Sequence, residues 1–195
     1  MPHRATTSPT TPALTDEAGH VGGSLRGEDH QPGSYVELDS DATLQELLGG
    51  APHPRVRDKV RARLSPEDVA LLGRSPFCVV ATANAAGDCD SSPRGDAPGF
   101  VHDVDAQTLA LPDRPGNRRG DSFRNVLQNP HVGLLHLVPG EREVLRVNGR
   151  ARVLTDAPFF DAMAVRGQRP RLALLVEVCE VYRHCPQSLR RAGLV

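Results

Sequence analysis

The chain has 195 residues, 38% of them apolar, which suffices for one domain with a hydrophobic core but not for two independent domains. A formal net charge of -1 excludes bulk electrostatic attraction to nucleic acid or to an anionic membrane, and no apolar run approaches the roughly 20 residues that span a bilayer. The four cysteines lack C-x-x-C spacing and no secretory signal precedes them, so we expect a cytoplasmic protein with no disulfide framework, no metal and no nucleic-acid or membrane partner.

The N-terminal arm differs in composition from the rest of the chain. Residues 1–34 are rich in Thr, Ser, Pro, Gly and charged residues and have no apolar periodicity. Such a segment cannot bury enough apolar surface to offset the entropy of ordering, so it is predicted to be disordered. Residues 35–195 are predicted to form the domain, with a helical segment at 41–73.

Three helical pieces are predicted within that segment from apolar spacing and capping residues. They are a short turn at 43–48 closed by Gly49-Gly50, an amphipathic helix on which Val56, Val60 and Leu64 recur at i, i+4 and i+8, and a helix that Ser65 caps, Pro66 begins and Gly73 ends, with Asp68 at the capping-box position.

From residue 77 onward the sequence is typical of β-structure, with short apolar runs between turn residues. The predicted strands are 77–82, 99–104, 108–111, 131–138, 144–154 and 172–181. Helices are predicted at 120–128, 155–165 and 188–192. Because the strands do not alternate regularly with helices, the pattern favours a small antiparallel β-barrel with peripheral helices over a doubly wound sheet.

Two rules give different secondary-structure predictions for the segment 144–154. Asn148-Gly149 is the strongest two-residue signal for a hairpin. However, a hairpin there would place Val147 opposite Arg150 on one face and would break the alternation of apolar and polar residues along the segment. We therefore predict one long strand that bends at Gly149.

Two basic, glycine-containing segments lie close together, and each is predicted to be a turn beside a strand. They are 93–96, Pro-Arg-Gly-Asp, and 114–119, Arg-Pro-Gly-Asn-Arg-Arg. A phosphate is held best by arginine side chains, backbone N–H groups and a helix N-terminus, and all three are present here. The region is therefore predicted to bind a phosphorylated cofactor or ligand. The alternative is that these arginines form solvated pairs with Asp96, Asp113 and Asp121.

Taken in order, the motifs FCVVAT, NAAGDCD, SSPRGDAPGFV, LALP, DRPGNRRGDSFRNVLQNPHVGLLHLVPG and LRVNGRARV resemble a known family. Residues 43–194 resemble the FMN-binding split barrels related to pyridoxamine 5'-phosphate oxidase, most closely a bacterial subgroup of probable FMN-dependent proteins. The resemblance implies a mainly β, six-stranded antiparallel split barrel. It also implies a homodimer with two FMN sites in the grooves between the subunits.

The resemblance also implies roles for individual residues. Arg94 would lie on a barrel strand and hold the FMN phosphate. Ser122 takes the position of a phosphate-binding Lys or Arg in many relatives, so Arg118 or Arg119 would supply the second cation. The backbone of Gly95, Asp96 and Ala97 would run beside the isoalloxazine edge, Leu111, Pro112 and Asp113 would line the cofactor, and Ser92 and Asn117 of the same motifs complete the predicted site.

The function expected from the resemblance is that of an FMN-dependent oxidoreductase acting on an unidentified small molecule, with no catalytic side chain assigned. The chain lacks the Arg-Leu-x-Pro-like tail of true pyridoxamine phosphate oxidases, so vitamin B6 oxidation is not implied. The alternatives are a non-catalytic flavin- or haem-binding protein, or an F420-dependent reductase whose wider basic groove Arg146, Arg150 and Arg152 would supply.

For two further places in the sequence, a functional role and a structural role are both possible. His184-Cys185 could act as a nucleophile and base, but no third orienting group is visible, which favours a structural role. His136 lies in an apolar run and is predicted to be a buried histidine with satisfied hydrogen bonds rather than a residue of the cofactor cleft.

Overall fold

The computed structural model describes residues 37–184 and 187–193, apart from the side chains of residues 55 and 56. The described residues divide after Ala51 into two units. In the first, helix α1 (Asp41–Leu47) begins at Ser40, whose hydroxyl accepts the Thr43 N–H, and Gly49 follows it in the left-handed region at φ 78°. The predicted helical turn is therefore confirmed, whereas the predicted disordered arm lies outside the described residues.

The second unit opens with two short helices, α2 (Pro54–Arg57) and α3 (Pro66–Leu72). Ser65 caps α3 and forms the predicted capping box with Asp68. The predicted amphipathic helix through residue 64 is wrong, because α2 ends at Arg57. Beyond it Arg61 exchanges two backbone hydrogen bonds with Val181, of 3.0 and 2.7 Å. The main chain here therefore forms a bridge to a strand and does not continue the helix.

Seven antiparallel strands form one sheet in the order β2-β1-β5-β6-β7-β4-β3. Their bounds are β1 Phe77–Ala83, β2 Cys89–Gly95, β3 His102–Asp105, β4 Thr108–Pro112, β5 His131–Leu137, β6 Val144–Leu154 and β7 Ala173–His184. The mainly β, antiparallel split-barrel class is confirmed, with seven strands where six were expected. The additional strand is β2, and the turn predicted at 93–96 is wrong because Pro93, Arg94 and Gly95 are its last residues.

Strand β6 is continuous, so the hairpin is excluded and the single bent strand is confirmed. The bend coincides with a register shift, since Asn148 pairs with Glu180 on β7 whereas Gly149 pairs with Val178. Cys179 is thereby left as the extra residue of a β-bulge. A Cβ atom on Gly149 would lie 2.2 Å from the Glu177 carbonyl oxygen, so only glycine fits at this approach of two backbones.

The three remaining helices lie outside the sheet. Helix α4 (Asp121–Gln128) and helix α5 (Gln187–Arg191) match the predictions. The helix predicted at 155–165 is wrong, because this segment holds only a 3₁₀ helix at Pro158–Met163. Beyond it the backbone turns back, as Val165 and Gln168 exchange hydrogen bonds of 3.0 Å with each other, and no further helical turn can form.

The core consists of two clusters on opposite faces of β4. Leu109 and Leu111 belong to the main cluster, which fills the space between the sheet and helices α3 and α4. Ala110 points the other way and packs with Phe160 and Met163 of the 3₁₀ helix. Because both faces of β4 are covered, this strand is buried along most of its length.

His136 lies fully buried in the main core, between Cys78 on β1 and Leu145 on β6 in the sheet register. Neither of its ring nitrogens has a hydrogen-bond partner among the described residues. The prediction that His136 is buried is confirmed, but the prediction that its ring nitrogens form hydrogen bonds is wrong. Burial lowers the pKa of this imidazole from 6.5 to about 4, so the ring is neutral in the folded protein.

We expect His136→Leu to raise the free energy of unfolding at pH 7 by about 1–3 kcal/mol, because it removes a buried polar ring without partners. The wild type should lose stability as the pH falls from 6.5 toward 4, because the unfolded chain binds a proton that the folded chain excludes. The variant should lack this part of the acid sensitivity. Urea denaturation across that pH range tests both points, with the exposed His131→Leu as control. A variant less stable than the wild type at both ends of the range would contradict the prediction.

Candidate anion-binding site

The sheet closes on itself through side chains at one place, here called the seam. Arg94 on the edge strand β2 donates to Asp113, which directly follows β4, at 3.4 Å from Nη1 to Oδ1. The next residue after Asp113, Arg114, donates from Nε to Asp96 Oδ2 at 2.5 Å. Two ion pairs thus join the edge of β2 to the end of β4, and the predicted site residues cluster around them.

Strand β2 presents alternate side chains to the inside of the barrel. Asp90, Ser92 and Arg94 are paired in register with Thr82, Val80 and Cys78 on β1. Directly opposed residues of antiparallel strands share a face, and these partners on β1 are buried. The charged row of β2 therefore faces the core side of the sheet, where α4 packs against β1 and β2.

Arg94 is the centre of this row. Its guanidinium group donates from Nη2 to Ser122 Oγ at 3.3 Å and lies 5.4 Å from the centre of the Phe123 ring. The contacts with Asp113 and Ser122 are both near the outer limit of a hydrogen bond, so neither is strong. With its side chain 22% exposed, Arg94 can reach a ligand at the seam without leaving its place on β2.

The N-terminus of α4 faces Arg94. Gly120 occupies the N-cap position in the left-handed region at φ 67° and, having no side chain, gives the first turn no cap. Ser122 in that turn is nearly fully buried, and its hydroxyl donates to Asp90 Oδ2 at 2.8 Å. The proton of this hydroxyl is thus engaged by Asp90, whereas the Arg94 guanidinium group and the uncapped helix N-terminus lie side by side, an arrangement that suits an anion.

The loop before α4 carries the other predicted cations at the surface. Arg119 is 75% exposed and donates from Nε to Asp121 Oδ2 at 2.7 Å, which raises the pKa of its guanidinium group. Asn117 accepts the backbone N–H of Arg119 at 3.0 Å. Arg118 has a left-handed backbone at φ 63° and an exposed side chain. Arg124 donates to the Arg119 carbonyl oxygen, so this loop is tied to the first turn of α4.

The pairing of the arginines with aspartates matches the alternative drawn from the sequence. Asp113 accepts from Arg94, Asp96 from Arg114, and Asp121 from Arg119. The pKa of Asp96 is lowered, first by the hydrogen bond from the Ala97 N–H and then by Arg114. Pairing with aspartate and binding a phosphate are compatible, because an anionic ligand can replace a weakly held carboxylate.

Two predicted residues take no direct part at the seam. Leu111 lies in the main core, and Pro112 is buried beside Ala173 on β7. Of the predicted trio that ends β4, only Asp113 exposes its side chain there, at 33%. Gly95 pairs with Phe77 at the end of β2, and Ala97 follows Asp96, so their backbones do lie beside the seam.

Two residues at the site, Asp90 and Phe123, escaped the sequence reasoning, and Arg114 was included in the predicted basic segment 114–119 without a role of its own. Asp90 supports Ser122, Phe123 lies under Arg94, and Arg114 joins Asp96 to the Met163 carbonyl oxygen, to which its Nη1 donates at 2.9 Å. Of the two missed residues, only Asp90 carried a usable signal. The polar residues Asp90, Ser92 and Arg94 recur with period two, the spacing of a strand face, in a segment that was interpreted as a turn.

Three further sequence predictions concern features outside the seam. Within residues 37–184 and 187–193 no group of three or more His, Cys, Asp or Glu side chains could hold a metal ion. No helix of that part of the chain has the length and apolar character needed to cross a membrane. Cys185 of the predicted His184-Cys185 pair lies outside the described residues.

The fold is an antiparallel split β-barrel, and its candidate anion site lies where the edge strand β2 meets the end of β4. The sequence profile of the family described as pyridoxamine 5'-phosphate oxidase matches residues 64–185, more than half of the chain. The chain therefore belongs to the pyridoxamine 5'-phosphate oxidase family, as the motifs predicted. No match to a curated protein sequence was found.

Three solved structures are similar to this chain, and the first of them has the same fold. HupZ from Group A Streptococcus is 16% identical, with a TM-score of 0.50 over 62% of this chain and 93% of its own. A Lactobacillus delbrueckii protein provisionally assigned as a pyridoxamine 5'-phosphate oxidase is 21% identical, with a TM-score of 0.49 over 63% and 95%. An FMN-binding protein from Syntrophomonas wolfei is 9% identical, with a TM-score of 0.45 over 73% and 94%.

Proposed function

We propose that this protein is an FMN-dependent oxidoreductase that acts on a small molecule and binds the FMN phosphate at the seam. The observation that carries the proposal is that Arg94 lies beside the uncapped N-terminus of α4, where it contacts the buried Ser122 of the first turn. When bound there, FMN would supply hydride or electron transfer, and the chain would supply binding and orientation.

The charges around the seam favour a phosphate that replaces the Asp113 carboxylate as the partner of Arg94. The long Arg94–Asp113 contact costs little to give up, and a phosphate oxygen would form a stronger, charge-assisted bond with the same guanidinium group. A dianion needs a second cation. Arg118 and Arg119 are the candidates, because both are exposed on the loop next to Ser122. Backbone atoms of residues 95–97 would then run beside the ring system.

We further propose a homodimer in which the cofactor sites are shared between subunits. The sheet face opposite the main core carries an apolar row in which Val79 pairs with Leu135 and Phe77 with Leu137. Phe77 is 37% exposed, and the other three are only partly buried. A second copy would remove this surface from water. A mass of one chain in sedimentation equilibrium would contradict the dimer.

The free thiols of Cys78, Cys89 and Cys179 fit the reducing cytoplasm that we propose as the location of the protein.

A second candidate is an F420-dependent reductase on the same barrel. Arg150 and Arg152 are exposed on the outer face of β6, and Arg146 shares that face with its guanidinium group 5.0 Å from the Tyr182 ring centre. Such a row could hold a long anionic tail. Parallel titrations with FMN and F420 separate the two reductases, whereas a bound flavin that no reductant or substrate affects would indicate a non-catalytic binding protein.

Arg94→Ala is expected to weaken FMN binding about ten- to a hundredfold, the loss of one charge-assisted bond to the phosphate. Asp113→Asn should strengthen it, because the carboxylate that competes for Arg94 is neutralised. Flavin fluorescence titration measures both, with Arg142→Ala, an exposed arginine of the β5–β6 loop, as control. Absence of saturable FMN binding by the wild type would refute the proposed cofactor. An unchanged dissociation constant in Arg94→Ala would remove Arg94 from the site.

A further inference from the structure

A buried thiol and a buried imidazole lie next to each other on the core side of the sheet. Cys78 on β1 is the directly opposed register partner of His136 on β5, and neither side chain is exposed to solvent. Directly opposed residues of antiparallel strands share a face, with Cβ atoms about 4.5–5.5 Å apart. A sulfur atom and an imidazole ring therefore occupy neighbouring places in the main core.

The ring of His136 has two unused nitrogens. Among residues 37–184 and 187–193, neither nitrogen has a hydrogen-bond partner. Nearly all buried polar side-chain atoms in native proteins have such a partner, so a ring with none needs a reason, and one such reason is a role as ligand to an ion. The lone pair of a neutral imidazole is a common metal ligand.

The Cys78 side chain is a free thiol with no hydrogen bond to the described part of the chain. Burial raises its pKa to about 12, so the sulfur keeps its proton until a metal ion displaces it. On its other side Cys78 is paired in register with Arg94 of the edge strand β2. Arg94 is held by contacts of only 3.4 and 3.3 Å, so the side chain between the thiol and the seam is weakly fixed.

The two donors select the type of ion. Sulfur and imidazole nitrogen are soft ligands that suit Cu(I), and Cu(I) accepts two donors in a line. Zn²⁺ takes four ligands, and the residues that the structure describes supply no group of three or more for it. Cu(I) with one thiolate and one neutral imidazole is electrically neutral, whereas a divalent ion would leave an unpaired charge in the core.

The spacing of the strands also suits two-coordinate binding. With bonds of the length that zinc forms, about 2.3 Å to sulfur and about 2.0 Å to nitrogen, the two donor atoms of a linear site are about 4.3 Å apart. Opposed side chains with Cβ atoms about 4.5–5.5 Å apart can reach this separation without a change in the strands.

We propose that Cys78 and His136 form a two-coordinate site for Cu(I). The Cys78 sulfur exchanges its proton for the ion, and the proton passes to solvent. One nitrogen of His136 supplies the second lone pair. No electron is transferred, because the ion enters as Cu(I) and stays Cu(I). The site is distinct from the anion site at the seam and needs no flavin.

Anaerobic titration of Cu(I) in competition with the chelator bicinchoninate tests the proposal. The full-length chain is used with Cys89, Cys179 and Cys185 replaced by serine, so that Cys78 is its only thiol. We expect one Cu(I) per chain and a higher melting temperature when Cu(I) is present, because the two donors meet only in the folded chain. Adding Cys78→Ser or His136→Leu should each weaken Cu(I) binding about tenfold or more, since loss even of a group that supports a metal ligand costs that much.

His136→Leu separates ligation from folding, because this variant is expected to be more stable than the wild type and its loss of Cu(I) cannot be due to unfolding. His131→Leu on the same strand, whose ring is exposed, is the matched control and should leave the affinity unchanged. Two outcomes would overturn the proposal: Cu(I) binding no tighter with Cys78 present than in Cys78→Ser, or the same Cu(I) affinity in His136→Leu as in His131→Leu.

Discussion

Replacement of Asp68 by alanine is expected to lower the free energy of unfolding by about 3 kcal/mol, the lower part of the range for breaking a buried ion pair. The Asp68 side chain is completely buried and binds three donors. Arg61 Nη1 lies 2.7 Å from one oxygen, Arg183 Nε 3.2 Å from the other, and the Ser65 N–H donates at 2.8 Å. The two arginines are 37% and 31% exposed, so water can partly solvate them after the substitution, which places the loss at the lower end.

Urea denaturation at pH 7 measures this loss, and Glu67→Ala is the matched control. Glu67 is the neighbouring acid in the first turn of α3 but is exposed. A loss for Asp68→Ala no larger than that for Glu67→Ala would contradict the prediction. Burial alone would raise the pKa of Asp68, but the bonds from Arg61, Ser65 and Arg183 outweigh it and hold the pKa below 3.8. The contribution of Asp68 is therefore present above that pH and lost as the pH falls through the folded-state pKa.

Gly149→Ala is expected to destabilise the fold by about 3 kcal/mol or more, as overpacking against rigid backbone does at its upper end. The added methyl group would lie 2.2 Å from the Glu177 carbonyl oxygen and 3.1 Å from its carbon atom. The atoms that would have to move belong to the ladder of β6 and β7 at the bulge, so no side-chain rotation relieves the clash.

Gly133→Ala on the adjacent strand β5 is the matched control for Gly149→Ala. Its new methyl group would meet only the Asn148 side-chain oxygen at 3.4 Å and the Ala81 Cβ at 3.8 Å, which are ordinary contacts. Thermal unfolding of the two variants should therefore differ by many degrees. Equal melting temperatures would show that the bulge can open without cost to the sheet.

The parts of the fold that the sequence predicted are those in which local pattern and tertiary structure agree. Strand β6 was recognised because its alternation outweighed the Asn148-Gly149 hairpin signal. The helix expected through Val60 and Leu64 failed because a period of four does not reveal that Arg61 pairs with Val181, more than a hundred residues away. The residue pattern did not predict strand β2, because its proline and glycine suggest a turn although an edge strand tolerates both, and only the family resemblance placed Arg94 on a strand.

The sequence predicted individual residues of the candidate site but not the contacts between them. Arg94 and Ser122 followed from their motifs, and the structure brings them within 3.3 Å of each other. The partners of Asp90 and Arg114 could not be assigned, because they come from α4 and from the 3₁₀ helix, and no spacing within one segment indicates such contacts. The orphaned ring of His136 was likewise unpredictable, since hydrogen-bond satisfaction depends on the positions of all the neighbours.

Side chains alone close the barrel between β2 and the end of β4, whereas the strands that neighbour each other in the sheet are joined by main-chain hydrogen bonds. If the proposed function is correct, a ligand would exchange at this closure by replacing a carboxylate, while the main-chain hydrogen bonds of the sheet stay intact. Evolution could alter affinity at the closure through substitutions such as those at Asp113 or Arg119 without loosening the scaffold. Ligand preference and thermal robustness are separable properties in a barrel built this way.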